Sequence, residues 1–232
     1  MITEFEYYYN NVPGKGLCRN NLIYTSLISK DRKTFCQWYH NDSDYHKGMN
    51  QVVDPDLMKE KWQREKQFIC IMAEHYPEHV PEILDIDDVN QKIYLKIDGT
   101  DMWDQAGCIG TDYSTVLEGW DTQMLEIIQS HKDLGIYKIS MHPSSYFPVN
   151  GKLKSINYFF CYTDDDKKIK MKEVLSHISH DRQKDLIPKM KAMGLDFESE
   201  MTFAQFQHVA FETFKLNFNS SVMEKAKEIY AL

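Results

Sequence analysis

Four polar side chains in one short stretch of the chain have the types and spacing for chemistry: Ser140, His142, Ser145 and Asn157. Magnesium prefers anionic oxygen ligands, so the neutral oxygens of Ser145 and Asn157 would hold this metal weakly. Ser140 cannot accept a proton near neutral pH without a separate base. The stretch therefore offers hydrogen-bonding groups in place of the charged groups that metal-assisted chemistry requires.

A helix and two strands are predicted to position these side chains within residues 127–159. The helix runs into Gly135-Ile136, and Pro143 fits a loop turn. A short strand, a glycine turn and a second strand follow, and the second strand ends at Ile156-Asn157-Tyr158-Phe159.

The residues before this stretch predict a small β-sheet with one long helix. Runs of β-branched and aromatic residues between polar turns are typical of strands, and Asp54-Pro55 is typical of a helix start. The predicted elements are strands over 22–29, 34–40, 82–87 and 92–97, a helix from 55 to about 76, and a strand start within 3–12.

The predicted long helix carries a carboxylate in its apolar stripe. The residues that share this face are Met58, Trp62, Glu65, Ile69 and Met72. A carboxylate among apolar side chains is costly unless it has a partner. Two interpretations stay open: Glu65 bonds a partner such as Gln37 inside the protein, or it lies at the wet edge of the stripe.

The second half of the chain predicts mainly helices. Residues 98–112, with three glycines, predict a linker. The helical periods that follow are 114–134, 174–178, 181–193, 202–218 and 221–231. Core packing explains the aromatic stripe of the penultimate helix better than ligand stacking does; its members are Phe203, Phe206, Phe211, Phe214 and Phe218.

The stretch over 127–159 resembles the catalytic loop of the protein-kinase and aminoglycoside-kinase family. That loop reads H-x-D-L-H/K-P-x-N and is followed about a dozen residues later by D-F-G. Met141, His142 and Pro143 match its L-H-P, and Gly135 matches the end of the preceding helix. The framework of the family pattern is therefore present.

Most of the chemical residues of the family pattern are replaced. By the resemblance, Ser140 stands at the catalytic aspartate and Ser145 at the metal-binding asparagine, while Lys138 stands at the first histidine. Asn157-Tyr158-Phe159 stands at D-F-G. His142 remains a catalytic candidate beside Ser140, although the family uses this position structurally.

The resemblance extends to the predicted sheet and long helix. Glu65 matches the helix glutamate that pairs with a strand lysine, and either Gln37 or Tyr39 stands in place of that lysine. Asp98-Gly99 fits the end of the hinge between lobes, and Gly14-Lys15-Gly16 is a weak match to the glycine-rich loop. Gln37, Glu65, Asp98, Ser145 and Asn157 are thus the candidate cofactor-binding residues.

The implied fold is a two-lobed α+β protein-kinase-like fold. Its N-terminal lobe, residues 1–97, would hold a small antiparallel sheet and one long helix. Its C-terminal lobe, residues 98–232, would be mainly helical, with a catalytic-loop-like hairpin over 138–159.

The replaced residues predict a catalytically impaired, pseudokinase-type domain. Phosphoryl transfer needs magnesium on the phosphates, an aspartate for the acceptor hydroxyl and a lysine, and ATP and magnesium are the cofactors that the resemblance implies. Ser145 and Asn157 would be weak metal ligands, so we expect the domain to act by binding a protein partner or a ligand in the inter-lobe cleft.

Two alternatives stay open at the level of the sequence. An active ATP-dependent phosphotransferase with a rearranged site could recruit His142, Asp133 or the run Asp164-Asp165-Asp166. A structural or assembly protein without a ligand is the second alternative.

The pair His177 and His180 has a spacing that can chelate a metal, but a solvated helix face is the favoured interpretation.

Composition favours an acidic, soluble, cytoplasmic protein. The net charge is −8 and the pI is about 5.6, which gives no basic field for nucleic acid or an anionic membrane. No apolar run approaches the roughly 18 residues of a membrane span, and the N-terminus does not resemble a signal peptide. Five scattered cysteines fit a reducing compartment.

Overall fold

A computed structural model of the chain describes most of its residues. The described ranges are 4–12, 16–19, 24–40, 54–108, 110–139, 141–163, 165–166, 169–176, 180–215, 217–218 and 220–230. They contain both helices and antiparallel strands, so the α+β class is confirmed.

Seven strands are found among the described residues before position 97. They are β1 (Phe5–Tyr7), β2 (Tyr9–Val12), β3 (Gly16–Arg19), β4 (Thr25–Ser29), β5 (Thr34–Trp38), β6 (Ile83–Asp87) and β7 (Lys92–Lys96). Five of them form an antiparallel sheet in the order β1-β4-β5-β7-β6, while β2 and β3 form a separate hairpin. The four strands predicted between 22 and 97 are confirmed as β4 to β7.

The long helix α1 (Pro55–His75) follows the prediction closely. The Asp54 side chain caps it by accepting from the backbone N–H of Asp56, and Pro55 needs no hydrogen-bond partner in the first turn. The predicted apolar stripe, Glu65 included, is buried. Glu65 is fully shielded from solvent, so the interpretation that it lies at a wet edge is wrong.

Residues 101–108 of the stretch over 98–112 form a partly buried segment rather than a plain linker, which corrects the prediction there. It contains the short helix α2 (Met102–Gln105), and both Asp101 and Met102 are fully buried. Asp101 accepts a hydrogen bond from the backbone N–H of Asp104 at 2.9 Å and from the Tyr8 hydroxyl at 2.7 Å. Three glycines suggested flexibility, but the capping carboxylate and the buried methionine order this segment.

The helix predicted from Ser114 begins later, as α3 (Trp120–Asp133). The residues in between form turns, in which the backbone N–H of Leu117 donates to the Tyr113 carbonyl. The predicted strand, glycine turn and strand are β9 (Tyr146–Val149) and β10 (Lys152–Ser155), which form an antiparallel hairpin.

The chain divides into two compact units. The first comprises residues 1–120 and 143–159, and the second comprises 121–142 and 160–232. The remaining elements are β8 (Tyr137–Lys138), β11 (Cys161–Tyr162), β12 (Ile169–Lys170), α4 (Met171–Ser176), α5 (His180–Ala192), β13 (Glu200–Met201), α6 (Phe203–Lys215) and α7 (Ser220–Tyr230). The predicted division into lobes at residue 97 and the kinase-like architecture stay predictions.

The core of the second unit includes the aromatic stripe of α6. Phe206, Phe211, Phe214 and Phe218 are buried, which agrees with the packing interpretation of the stripe. Phe206 lies edge-on to Tyr162 with ring centroids 4.8 Å apart, so α6 packs against β11. Within the described residues, no helix is both long and apolar enough to cross a membrane.

Candidate functional site

Asn157 lies at the centre of a buried polar cluster in the first unit. The hairpin β9–β10 pairs Tyr146 with Ser155, so the residues flanking the two strands meet at the open end of the hairpin. There the backbone N–H of Ile156 donates to the Ser145 carbonyl at 2.9 Å. Hairpin register therefore brings Ser145 and Asn157 together, and the Asn157 amide nitrogen donates to the Ser145 hydroxyl oxygen at 2.8 Å.

The Asn157 backbone adopts a left-handed conformation, with a φ of 68°. Asparagine tolerates this region better than most residues because its short polar side chain can bond locally. The turn out of β10 thereby aims the Asn157 side chain into the interior, where only 2% of the residue is exposed.

Two donors from the sheet converge on the same oxygen atom of Asn157. The Tyr24 hydroxyl donates to Asn157 Oδ1 at 2.5 Å, and Gln37 Nε2 donates to it at 3.1 Å. Tyr24 immediately precedes β4, and Gln37 lies on the inner face of β5, so the sheet supplies both groups. The predicted site residues Gln37, Ser145 and Asn157 are thus brought together.

Glu65 reaches the neighbouring part of the same unit. Its carboxylate accepts a hydrogen bond from the Tyr39 hydroxyl at 3.0 Å and one from the backbone N–H of Phe159 at 2.8 Å. Tyr39 and Gln37 share one face of the chain around β5 because side chains alternate along a strand. Tyr39 therefore bonds Glu65, while Gln37 bonds Asn157.

Aromatic rings enclose this polar cluster. The Tyr24 ring lies 5.3 Å from that of Tyr39, 5.9 Å from that of Phe159 and 6.4 Å from that of Phe35, measured between centroids. Phe35 in turn lies 5.2 Å from Phe147. These rings shield the hydrogen bonds from water, which strengthens them and makes an unsatisfied group costly.

The Tyr24 phenol remains protonated in this environment. Burial raises its pKa well above the ordinary value, and the negative charge of Glu65 raises it further, although nearby polar groups of Gln37 and Ser26 act in the opposite direction. Tyr24 is therefore a hydrogen-bond donor at every pH that the folded protein meets, consistent with its short bond to Asn157.

Asp98 does not join the cluster. It forms a surface ion pair with Lys33, and the side chains are 46% and 60% exposed, respectively. The register pairs Lys96 with Thr34, so Asp98 lies beside the start of β5, whereas Gln37 and Tyr39 lie at its end. Exposed pairs of this kind contribute little to stability.

The two predicted catalytic residues are placed differently. Ser140 lies outside the described residues. His142 is half-buried and belongs to the second unit by its contacts. Of the alternative acids, Asp133 is exposed and accepts from Gln129 Nε2 at 2.7 Å, and Asp166 accepts from the backbone N–H of Thr163 at 2.8 Å. Both carboxylates thus serve local structure.

The cluster does not fit a magnesium ion. A side-chain carbonyl oxygen has two lone pairs, and Asn157 Oδ1 uses both for the donors Tyr24 and Gln37. The Ser145 hydroxyl accepts from the Asn157 amide. Neither predicted metal ligand brings a negative charge, which magnesium prefers. Across the described residues, no group of three or more His, Cys, Asp or Glu is arranged to hold a metal.

Sequence reasoning missed Tyr24 and the role of Tyr39. Tyr24 is the third residue of the predicted strand over 22–29, where an aromatic residue carries no sign of function by itself. Tyr39 was one of two candidates for the lysine position, and only the register of the strands assigns it to Glu65. No protein-family model matches the chain, and no curated protein matches its sequence.

Proposed function

We propose that the protein is a catalytically inactive, kinase-like domain that acts by binding a protein partner rather than by transferring phosphate. One observation carries this proposal: both lone pairs of the Asn157 side-chain oxygen are used by hydrogen bonds within the protein. Its oxygen accepts from Tyr24 and Gln37, and its nitrogen donates to Ser145.

The arrangement of the first unit supports the kinase-like part of the proposal. The chain order is a strand hairpin, a long helix and two further strands, as the family resemblance implies. The four strands belong to one sheet. The helix glutamate Glu65 is buried and bonded to Tyr39, which follows β5, where the family places a lysine.

The chemistry of the cluster supports inactivity. Phosphoryl transfer requires a metal cation on the phosphates and carboxylates that hold this metal and orient the acceptor hydroxyl. Gln37, Ser145 and Asn157 are instead neutral and already bonded to one another or to Tyr24. Bringing magnesium and ATP to Asn157 would require breaking several buried hydrogen bonds, each of which costs about 1–3 kcal/mol when a partner is left unsatisfied. Recognition of a partner is the role that remains for such a domain.

The proposal is tested by thermal unfolding of the purified protein with ATP and magnesium, alongside a phosphate-release assay. A nucleotide at about 100 times its Kd stabilises a native protein by about 2.7 kcal/mol, which shifts Tm by about 5–10 °C in a chain of this size. We expect a shift below about 1 °C and no release of phosphate.

Two variants make the result specific. Asn157→Ala removes the central amide, and Asn90→Ala removes an exposed amide in the turn between β6 and β7 as a matched control. A magnesium-dependent Tm shift of several degrees together with phosphate release in the wild type, both lost in Asn157→Ala and kept in Asn90→Ala, would show that an active phosphotransferase is the better description.

A further inference from the structure

We propose that Tyr24 is an intramolecular ligand: its phenol fills a site built by Gln37, Asn157, Phe35, Tyr39 and Phe159, and this site accepts a neutral phenol-type molecule when Tyr24 is removed. The inference concerns what occupies the cluster and goes beyond the proposed absence of phosphate transfer.

The contacts of Tyr24 are those of a bound ligand. Its hydroxyl forms a short, 2.5 Å hydrogen bond to Asn157 Oδ1 at one end. The rings of Phe35 and Phe159 lie edge-on to its own ring, at interplanar angles of 81° and 77°. Edge-on packing of this kind is favourable beyond the burial of area. With 1% of its surface exposed, Tyr24 is enclosed on all sides.

The site has hydrogen-bonding capacity that Tyr24 does not use. Among the described residues, the buried Gln37 Oε1 has no hydrogen-bond partner. Ser26 and Gln37 lie directly opposite each other on β4 and β5. Unsatisfied buried groups are rare in folded proteins and call for a specific explanation. The site offers more hydrogen-bonding groups than the Tyr24 side chain uses. This excess is expected if Tyr24 occupies the place of another ligand.

The charges of the site define the class of ligand. Gln37, Asn157 and Ser26 are neutral, and the buried carboxylate Glu65 lies near enough to disfavour a phenolate at the position of Tyr24. An anionic ligand such as phosphate or a carboxylate would therefore be repelled. A neutral ring with a hydroxyl group satisfies both the aromatic walls and the Asn157 acceptor.

The experiment compares small molecules on the variant Tyr24→Ala, in which the ring is deleted. Deleted aromatic side chains leave apolar cavities that can bind small rings. For a ligand of this size we expect p-cresol to bind with a Kd of about 1 mM. At ten times that concentration, Tm should rise by about 3 °C. Toluene, which lacks the hydroxyl, should bind about tenfold more weakly because it leaves Asn157 unsatisfied.

Matched variants test whether Asn157 confers the selectivity for p-cresol over toluene. The double variant Tyr24→Ala/Asn157→Leu should bind p-cresol and toluene equally, since the acceptor is gone. Wild type and Tyr24→Phe should respond to neither molecule because the ring still fills the site. The phenol could also come from the tyrosine side chain of a peptide, and N-acetyl-tyrosinamide tests this source. Binding of either p-cresol or N-acetyl-tyrosinamide to Tyr24→Ala supports the proposal.

Several outcomes would overturn the proposal. One is a Tyr24→Ala protein that folds but binds neither phenol, and another is equal binding of p-cresol and toluene to it. If Tyr24→Ala does not fold alone, it should refold in p-cresol and not in toluene; failure in both contradicts the inference. Tyr24→Phe adds an independent check, because an unchanged Tm would mean that the hydroxyl is no ligand of Asn157. The wild-type experiment with ATP does not depend on any of these results.

Discussion

At the scale of single residues, neutral side chains have structural roles in the buried cluster of the first unit. Asn157 is the central one, and its amide can donate as well as accept. This allows it to bond Ser145 with its nitrogen while accepting from Tyr24 and Gln37 with its oxygen. An ionised aspartate at this position would be costly to bury. It would also have no N–H group to donate to Ser145.

The buried carboxylate of Glu65 depends on Tyr39. We expect Tyr39→Phe to destabilise the protein by about 1–3 kcal/mol, because the change leaves a buried carboxylate with one donor fewer. Glu65→Gln should be destabilising as well, and the double variant should cost less than the sum of the two single changes. Urea denaturation of the four proteins gives this coupling energy.

A coupling within about 0.3 kcal/mol of zero would contradict the assigned bond between Tyr39 and Glu65. Tyr94→Phe is the matched control for the loss of a tyrosine hydroxyl, since Tyr94 lies on the opposite face of the sheet, where its ring is 5.7 Å from Phe5. Its combination with Glu65→Gln should be additive.

At the scale of elements, polar side chains hold neighbouring elements together at defined points. Lys154, on β10, donates to the carbonyls of Pro77 and Glu78 at 3.1 and 2.7 Å and so fastens the hairpin to the turn after α1. In the second unit, Glu212 of α6 bonds Lys189 of α5 and accepts from Lys215, one turn further along α6, at 3.0 Å. The Glu212 side chain is only 19% exposed, so solvent screens these pairs less than surface pairs.

The link between α5 and α6 predicts a dependence of stability on pH. Burial tends to raise the pKa of Glu212, but the hydrogen bonds and charges of Lys189 and Lys215 outweigh it, so the pKa is lowered in the folded protein. The resulting stabilisation is present above the unfolded pKa of about 4.5 and is lost as pH falls through the lower, folded value.

Glu212→Gln should therefore destabilise the protein by about 0.5–1 kcal/mol at neutral pH, and the difference from wild type should shrink below about pH 4.5. Urea midpoints measured at several pH values test this. Glu224→Gln, on the exposed side of α7, should show no difference at any pH. A Glu212 difference that grows on acidification would contradict the assigned ion pairs.

At the scale of the whole molecule, cysteines report on the integrity of each unit. Cys36, Cys108 and Cys161 are buried, and Cys70 is half-buried. Burial raises the pKa of the Cys36 thiol to about 12, against the opposing positive charge of Lys92, and burial also raises the pKa of Cys70. Since the thiolate is the reactive form, native reactivity among these four cysteines should be limited to Cys70.

In a Cys18→Ser background at pH 8, a thiol reagent should modify one cysteine per native molecule, slowly, and all four after unfolding. Cys36 should react at least about 1000-fold more slowly than a free thiol, because its thiolate fraction is smaller by that factor. Cys70→Ser should abolish the native reaction. Rapid modification of Cys36 in the native protein would mean that the sheet opens far below the free energy of global unfolding.

Local patterns were sufficient to predict the main strands and the long helix of the first unit. Period-two and helical patterns, with Asp54 and Pro55 as a helix start, predict β4 to β7 and α1 because they depend on neighbouring residues alone. The packed segment around Asp101 was missed, since its order comes from a hydrogen bond to Tyr8, far away in sequence. The start of α3 was placed too early because turns over 114–119 carry apolar residues at a helical spacing.

The sequence by itself determined that three members of the candidate site, Gln37, Ser145 and Asn157, are neutral. Side-chain chemistry is a local property, so the weakness of Ser145 and Asn157 as metal ligands needed no structure. Only the tertiary structure decided their partners: strand register brings Gln37 and Tyr24 onto Asn157, assigns Tyr39 to Glu65 and leaves Asp98 at the surface. Hydrogen bonds between residues more than 100 positions apart depend on how the sheet and the hairpin pack, which no local pattern encodes.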